Sequence, residues 1–262
     1  MSVTNNAVST RPDEPSVENG AASALEAFWA RAAMSKLEAK FALAREMDAL
    51  PHLPIDALRA IVLQYRYFTQ AFISDLAVLV ARCPEGRLRS LLGQLVNEEL
   101  GEGDPEEAHA RLYDRFLLSI GAIDQGASPR ELRAAVHPKV SELLGGLRDR
   151  TINQPPLYAI GMRGLGGECV CGVYFSVMHV HLRKHPFIVE NEAKIDWKFW
   201  DIHAGHADVE HNELVRAAVA ELLSDLNQED AVEQLVRGYD HGTYVWDAFW
   251  TAVYGDHGVQ VS

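Results

Sequence analysis

The sequence predicts an all-α protein. Almost every patterned window repeats its apolar residues at helical spacing, and the breaks are Pro, Gly and Asn-Gln turns rather than hairpin signals. The chain has 262 residues, 48% of them hydrophobic, which is enough for one large core, and no part has the composition of a second domain. We therefore expect a single bundle of seven or eight helices spanning residues 22–255.

The N-terminal residues 1–21 are polar and rich in Pro, Ser and Asn. They lack the apolar core of a signal peptide and the Arg-rich pattern of a transit peptide, so we expect a disordered tail. No apolar run approaches the roughly 20 residues of a membrane span. The three cysteines cannot all pair into a disulfide framework. The sequence therefore predicts a soluble, cytoplasmic protein with no membrane partner.

The helical patterns form eight successive segments. They cover residues 22–49, 54–82, 86–100, 105–121, 129–150, 155–184, 192–224 and 229–253. Pro51 and Pro54 frame the turn before the second segment, where Asp56 suits the positive end of the helix dipole. Pro84 and Gly86 end that segment.

Later boundaries follow from further turn signals, and the other segments rest on apolar periodicity alone. Gly101 and Gly103 can close the third helix, and Asp104-Pro105 followed by Glu107 predicts an N-cap and capping box for the fourth. The run Asn-Gln-Pro-Pro at residues 153–156 opens the sixth segment. From residue 157 to 182 that segment is charged only at an arginine and a glutamate, which predicts a helix inside the bundle.

The net charge of −13, from 37 acidic and 24 basic residues, argues against nucleic acids and anionic membranes as partners. A small organic substrate is favoured instead. An acidic bundle with apolar helices is compatible with a homodimer, although the sequence does not locate an interface.

Three clusters contain residues of the types that bind iron. Glu99 and His109 flank the Gly-Asp-Pro junction, and a kinked junction can bring both to one metal; a solvated acidic corner is the alternative. Glu168 has apolar neighbours, so its carboxyl must be neutral, paired with a cation such as Arg163, or bound to a metal. Cys171 and its neighbour Cys169 are interpreted as small buried residues.

In the third cluster, His203, Asp208 and His211 lie within about 140° of one another on a helical wheel, whereas His206 points away. A polar helix surface is the alternative. A π-bulge would bring His203 and Asp208 closer together. Carboxylates mixed with imidazoles suit non-haem iron or manganese better than zinc, which would more often recruit the cysteines.

Together these segments resemble a known family. Residues 97–122, 164–175 and 201–213 are similar to the ligand segments of the haem-oxygenase-like diiron oxidases and oxygenases, also called iron-containing redox enzymes, and the resemblance spans residues 55–250. It implies a haem-oxygenase-like bundle holding two Fe(II) ions per chain that react with O₂. The implied ligands are Glu99, His109, Glu168, His203, Asp208 and His211.

The sequence departs from the family pattern at one point. His203 precedes Asp208 by five residues, where the family pattern has four, so His206 is the alternative ligand.

The resemblance implies oxidation of a small amino acid in specialised-metabolite biosynthesis. The leading reactions are desaturation of an aliphatic side chain, cyclisation such as azetidine formation, and C–C cleavage. An external electron donor is compatible with these reactions. N-oxygenation of an amino or guanidino group is an alternative, as is a metal-free thiaminase-like or cofactor-binding relative. A haem-binding bundle is disfavoured because His52, the early histidine, lies in a Pro-flanked turn.

A substrate carboxylate in an apolar bundle needs a cationic partner, and Arg66 and Arg163 are the candidates. Aromatic side chains could wall the pocket, but their helical spacing equally fits plain core. These aromatic residues are Tyr65, Tyr67, Phe68, Phe72, Tyr174 and Phe175.

Overall fold

The computed structural model describes residues 17–165, 168–203, 207–224 and 228–261. Within these ranges the chain is a bundle of α-helices joined by turns. The first helices are α1 (Val17–Arg31), α2 (Met34–Ala42), α3 (Arg45–Ala49), α4 (Ile55–Arg82), α5 (Arg87–Glu99), α6 (His109–Ser119) and α7 (Pro129–Ala134). The remaining helices are α8 (Pro138–Asn153), α9 (Pro156–Ala159), α10 (Glu168–Leu182), α11 (Pro186–Asn191), α12 (Lys198–His203), α13 (Ala207–Ser224) and α14 (Gln228–Gly255).

The all-α prediction is confirmed, but the described residues contain more helices than the seven or eight expected. The predicted segments 54–82 and 86–100 correspond closely to α4 and α5 because Pro and Gly bound them. The segment 155–184 is instead interrupted, with α9 continuing into a π-helix over Ile160–Leu165 before α10 begins.

The predicted first helix, residues 22–49, is divided into α1, α2 and α3. Ala33 and Ala44 have extended backbone conformations at the two breaks. Alanine is a strong helix former, so tertiary packing rather than local propensity sets these breaks. Helix α1 begins at Val17, within the predicted tail, whose residues 1–16 lie outside the described part of the chain.

The junction between α5 and α6 differs from the predicted capping box. Helix α6 begins at His109 with Ala108 as its N-cap, so the prediction that Asp104 opens the helix was wrong. Gly101, Glu102 and Gly103 all have positive φ values, of 84°, 52° and 98°. These left-handed residues form a tight turn in which the Asp104 amide donates to the Gly101 carbonyl at 2.8 Å. His109 is therefore the first residue of α6.

The core consists of two buried clusters. The larger is rich in aromatic rings from α4, α6, α10, α12 and α14, and the smaller joins α1, α4, α5, α13 and α14. Trp246 and Trp250 of α14 and Tyr65 of α4 stack or meet edge to face at the centre of the larger cluster. None of the described helices is both long and apolar enough to cross a membrane.

Two glycines allow α14 to pack directly against the backbone of α9 and the π-helix. A Cβ atom at Gly161 would lie 2.1 Å from the Leu235 carbonyl oxygen, and one at Gly238 would lie 2.0 Å from the Tyr158 carbonyl oxygen. No real Cβ contact is this short, so both positions require glycine. This contact fixes the π-helix, and hence the start of α10, against the rest of the bundle.

Candidate metal centre

Glu99 is the last residue of α5, and its carboxylate points into the protein. Leu88, Leu92 and Leu95 are buried on this helix, and Glu99 follows them at helical spacing on the same face. Only 5% of Glu99 is exposed. A buried carboxylate needs cationic or hydrogen-bonding partners to offset its lost hydration.

His109 lies beside this carboxylate at the start of α6. Leu112, Tyr113 and Phe116 are buried on α6, and His109 lies one helical turn before the first two. The turn at Gly101 brings α6 back towards the end of α5. As a result, Nδ1 of His109 lies 3.1 Å from Oε1 of Glu99.

His203 completes the group as the last residue of α12. Its Nδ1 lies 2.7 Å from the carbonyl oxygen of Phe199, one turn earlier. Because a carbonyl only accepts, Nδ1 must carry the proton, and Nε2 keeps its lone pair. The ring centroid lies 4.8 Å from that of His109, edge to face. This carbonyl contact is the usual way in which a protein orients a metal-binding histidine.

These three side chains could hold a metal ion. Each offers one ligand atom, and the three atoms lie within 4.8 Å of one another. Two imidazoles and one carboxylate form the donor set that suits non-haem Fe(II), with coordination positions left open for other ligands. The buried Glu99 carboxylate would also gain the cation that its surroundings require. The residues therefore fit an iron ion.

The other three predicted ligands are placed only through their helices. Glu168 is the first residue of α10, and Asp208 and His211 lie in the first turns of α13. Their side chains lie outside the described part of the structure. The same is true of residues 204–206, so neither the suggested π-bulge nor the alternative ligand His206 is tested.

Burial lowers the pKa of His203 from 6.5 to about 4, and the neighbouring His109 adds to the effect. The pKa of this ring is depressed on folding, so between pH 6.5 and 4 the unfolded chain binds a proton that the folded chain does not. We therefore expect the metal-free protein to lose stability as the pH falls through this window, by at most about 3 kcal/mol from this residue.

Urea unfolding of the metal-free protein at pH values from 7.5 to 4.5 would measure this loss. In His203→Gln the dependence on pH should be shallower, since glutamine does not titrate. An equal slope in both proteins would contradict the assignment of the acid sensitivity to His203.

A small pocket, open to solvent at its mouth, adjoins the group. Glu99 and His203 line it, and the remaining lining residues are Tyr65, Thr69, Phe72, Cys171, Gly172 and Phe199. The hydroxyl of Tyr65 lies 2.9 Å from Sγ of Cys171. Burial, followed by the effect of Cys171, raises the pKa of Tyr65 well above its usual value, so the phenol keeps its proton. The lining combines aromatic rings with the ligand-type groups of Glu99 and His203.

Of the aromatic residues considered from the sequence, Tyr65 and Phe72 line this pocket, whereas Phe68 and Tyr174 are buried in the core. Sequence reasoning interpreted Cys171 as a small buried residue, kept it as the reactive cysteine of the metal-free hydrolase alternative, and did not place it in a pocket beside the predicted ligands. The available signal was weak: Cys171 lies three residues after Glu168, which places it on the same side of α10.

Both arginine candidates for substrate binding make internal ion pairs. Nε of Arg66 lies 2.5 Å from Asp114, and Nη2 of the same side chain lies 3.0 Å from it. Arg163, in the π-helix, is 1% exposed and lies 2.9 Å from the equally buried Asp75. Burial lowers the pKa of Arg163, and Asp75 opposes that effect.

Comparisons with known proteins agree with this architecture. Residues 59–243, well over half of the chain, match a family model described as an iron-containing redox enzyme. The fold is similar to that of a CADD-like protein of unknown function from Nostoc punctiforme, with a TM-score of 0.66 and 16% identity, covering 91% of this chain and 97% of that one.

Two further solved structures are similar. One is a domain of unknown function with a heme oxygenase-like fold from Shewanella denitrificans (TM-score 0.59, 16% identity, 92% of both chains). The other is a TenA homolog from Pseudomonas syringae pv. tomato (TM-score 0.60, 15% identity, 90% of this chain and 93% of that one). No curated protein matches the sequence significantly. At these identities the structural likeness shows the fold, and the family match goes further: the chain belongs to the iron-containing redox enzyme family and has a haem-oxygenase-like fold.

Proposed function

We propose that the chain is a non-haem diiron enzyme that uses O₂ to oxidise a small amino acid. The observation that carries this proposal is the convergence of Glu99, His109 and His203 beside a pocket with largely apolar walls. In such a pocket an aliphatic side chain would lie against apolar walls beside the metal centre. When bound, the two Fe(II) ions would supply electrons for the reduction of O₂.

In this proposal, Glu99, His109 and His203 hold one iron. The neutral imidazole of His203 is ready to bind through Nε2 without first losing a proton.

Glu168, Asp208 and His211 complete the second iron site. They lie at the beginnings of α10 and α13. Helix α13 begins at Ala207, shortly after His203, the last residue of α12. A Glu from α10 with an Asp and a His from α13 would offer the second ion a similar set of carboxylate and imidazole ligands.

The walls of the pocket would exclude water from the reacting groups. Tyr65, Phe72 and Phe199 present aromatic rings to the pocket, and Gly172 also lines it. Holding the substrate's C–H or N–H bond in this dry space is the contribution of the protein to the reaction.

We further propose that Arg163 binds the substrate carboxylate. Its guanidinium carbon lies 5.0 Å from the ring centroid of Phe72, which lines the pocket. Asp75 is shared between the buried Arg163 and the half-exposed Arg148, at 2.9 and 3.0 Å, so the three side chains together carry one excess positive charge. In addition, Nε of Arg163 is buried without a hydrogen-bond partner among the described residues. A carboxylate would supply both the negative charge and the acceptor.

Arg163→Lys should raise the KM for the amino acid by about tenfold or more while changing kcat less. Lysine keeps the charge but lacks the planar fork that binds a carboxylate. Arg66→Lys is the matched control, because Asp114 engages Arg66 through two nitrogens. Steady-state kinetics of both variants would measure the effect. An increase in KM confined to Arg66→Lys would assign the carboxylate to the other arginine.

Several reactions are compatible with this site. Desaturation of an aliphatic side chain removes two electrons, so complete reduction of O₂ to water then requires two more from an external donor. A four-electron oxidation, such as a cyclisation coupled to a second oxidation or a C–C cleavage, would need no donor. N-oxygenation of an amino or guanidino group is the alternative, and product analysis would separate these outcomes.

A metal-free hydrolase is a second candidate, favoured by one observation. Cys171 lines the pocket, as the nucleophile of a thiaminase-like enzyme would. Such an enzyme would retain its activity after removal of iron and lose it in Cys171→Ser. We favour the iron enzyme because a hydrolase would not need the two histidines and the buried carboxylate beside the thiol.

Anaerobic titration of the metal-free protein with Fe(II), followed by mixing with O₂ and a panel of amino acids, tests the main proposal. We expect about two irons per chain and O₂ consumption that one amino acid accelerates. Binding of iron without any substrate-dependent O₂ consumption would contradict an oxidase or oxygenase and indicate a binding role.

A further inference from the structure

Tyr65 and Cys171 make an unusual contact in the pocket beside the metal-binding group. The phenolic oxygen and Sγ are 2.9 Å apart, although the two residues come from different helices, α4 and α10. Both line the pocket that Glu99 and His203 also line. A thiol and a phenol are thus held together at the place where the proposed function puts an oxidising centre.

The ring of Tyr65 is held firmly in this position. It meets Phe175 edge to face at 4.3 Å and stacks against Phe68 and Trp250 at 5.7 and 6.2 Å. Only 4% of Tyr65 is exposed. The ring therefore cannot swing away from the thiol, and Sγ stays beside the hydroxyl-bearing edge. The ring carbons ortho to the hydroxyl belong to that edge.

We propose that Tyr65 and Cys171 become joined by a thioether bond between Sγ and a ring carbon ortho to the hydroxyl. The inference rests on the proposed function, because the oxidant is O₂ reduced at the iron site. One C–S bond forms, while the thiol S–H bond and one aromatic C–H bond break. The two electrons and two protons released convert one O₂ to hydrogen peroxide, so atoms and electrons balance.

Two physical consequences favour the cross-link over unmodified Tyr65 and Cys171 side chains. An unmodified thiol beside an oxygen-consuming site is a target for oxidation to sulfinic and sulfonic acids, which are not reversed by ordinary thiols. The thioether protects the sulfur from oxidation to these acids. It also ties α4 to α10 at the wall of the pocket, and so fixes the relative positions of the helices that carry Tyr65 and the predicted ligand Glu168.

The phenol remains available after cross-linking. The bond is formed at carbon, so the Tyr65 hydroxyl keeps its proton and can donate a hydrogen bond into the pocket.

Mass spectrometry of the full chain tests the proposal. Metal-free protein is loaded with Fe(II) under anaerobic conditions and then exposed to O₂, with iron uptake and O₂ consumption recorded in parallel. We expect a mass lower by two hydrogen atoms, and two thiols instead of the three encoded cysteines when the denatured protein is alkylated. After trypsin digestion, the peptide of residues 60–66 should be joined to the peptide of residues 164–183.

Variants locate the bond. Tyr65→Phe and Cys171→Ser should each show no loss of mass and no joined peptides. Cys169→Ser is the matched control, because it removes the neighbouring thiol and should still form the cross-link.

Each other outcome contradicts the proposal in a recognisable way. Normal iron uptake and O₂ consumption with an unchanged mass would overturn the cross-link and leave the proposed function intact. Added oxygen atoms on Cys171 would show that the thiol is oxidised without joining Tyr65. Absence of both iron uptake and O₂ consumption would contradict the proposed function, and the cross-link would fail with it for lack of an oxidant.

Discussion

Replacing His203 with alanine is expected to weaken iron binding by more than about 100-fold and to abolish iron-dependent O₂ consumption. The imidazole is one of three ligand-type groups within 4.8 Å of one another, and alanine offers no donor atom in its place. The helices should persist, because His203 is the last residue of α12 and its side chain hydrogen-bonds, among the described residues, to the Phe199 carbonyl within the same helix. Iron binding can be measured against a competing chromophoric chelator, and helix content by circular dichroism.

His52→Ala is the matched control for this experiment. His52 is exposed in the turn before α4 and belongs neither to the metal-binding group nor to the pocket lining, so its removal should change neither iron binding nor O₂ consumption. Unchanged iron affinity in His203→Ala would remove this residue from the site and direct attention to His206.

Replacing Gly238 with alanine is expected to lower the free energy of unfolding by about 3 kcal/mol or more. The new methyl carbon would lie 2.0 Å from the Tyr158 carbonyl oxygen and 3.0 Å from the Met162 amide nitrogen. Both are backbone atoms, so no side-chain rotation can relieve the overlap. Helix α14 would have to move away from α9 and the π-helix. Equilibrium unfolding in urea would measure the loss of stability.

Gly145→Ala is the matched control, and we expect it to change the free energy of unfolding in the opposite direction. Gly145 is exposed in α8, and a Cβ atom there would meet nothing within 4 Å. Because alanine favours the helix over glycine, stability should rise by about 0.5–1 kcal/mol. A similar gain in Gly238→Ala would contradict the close backbone contact between α14 and the π-helix.

The helices that sequence reasoning placed best are those with strong local signals at both ends. Pro54 precedes α4, and Pro84 with Gly86 separates α4 from α5, so the local chain chemistry alone determines these boundaries. The breaks at Ala33 and Ala44 carry no such signal. Interactions with distant parts of the bundle produce them, and a local pattern does not record such interactions.

The metal-binding group, too, could be predicted in part from local sequence patterns and in part not. Helical periodicity places Glu99 on the buried face of α5 and His109 on that of α6, and this could be predicted from the apolar residues around them. The kinked junction already allowed Glu99 and His109 to meet, but the approach of α12 to them could be expected only from the family resemblance, because residue spacing within a helix says nothing about distances between helices. The pairing of Arg163 with Asp75 joins residues of distant segments, and no local pattern indicates it.

Diffraction from iron-loaded crystals, with data collected on both sides of the iron absorption edge, tests the central claim most directly. The account predicts an anomalous peak in contact with Glu99, His109 and His203, and a second peak near the starts of α10 and α13. Iron bound elsewhere, with no peak among these three side chains, would contradict the assignment of the metal centre.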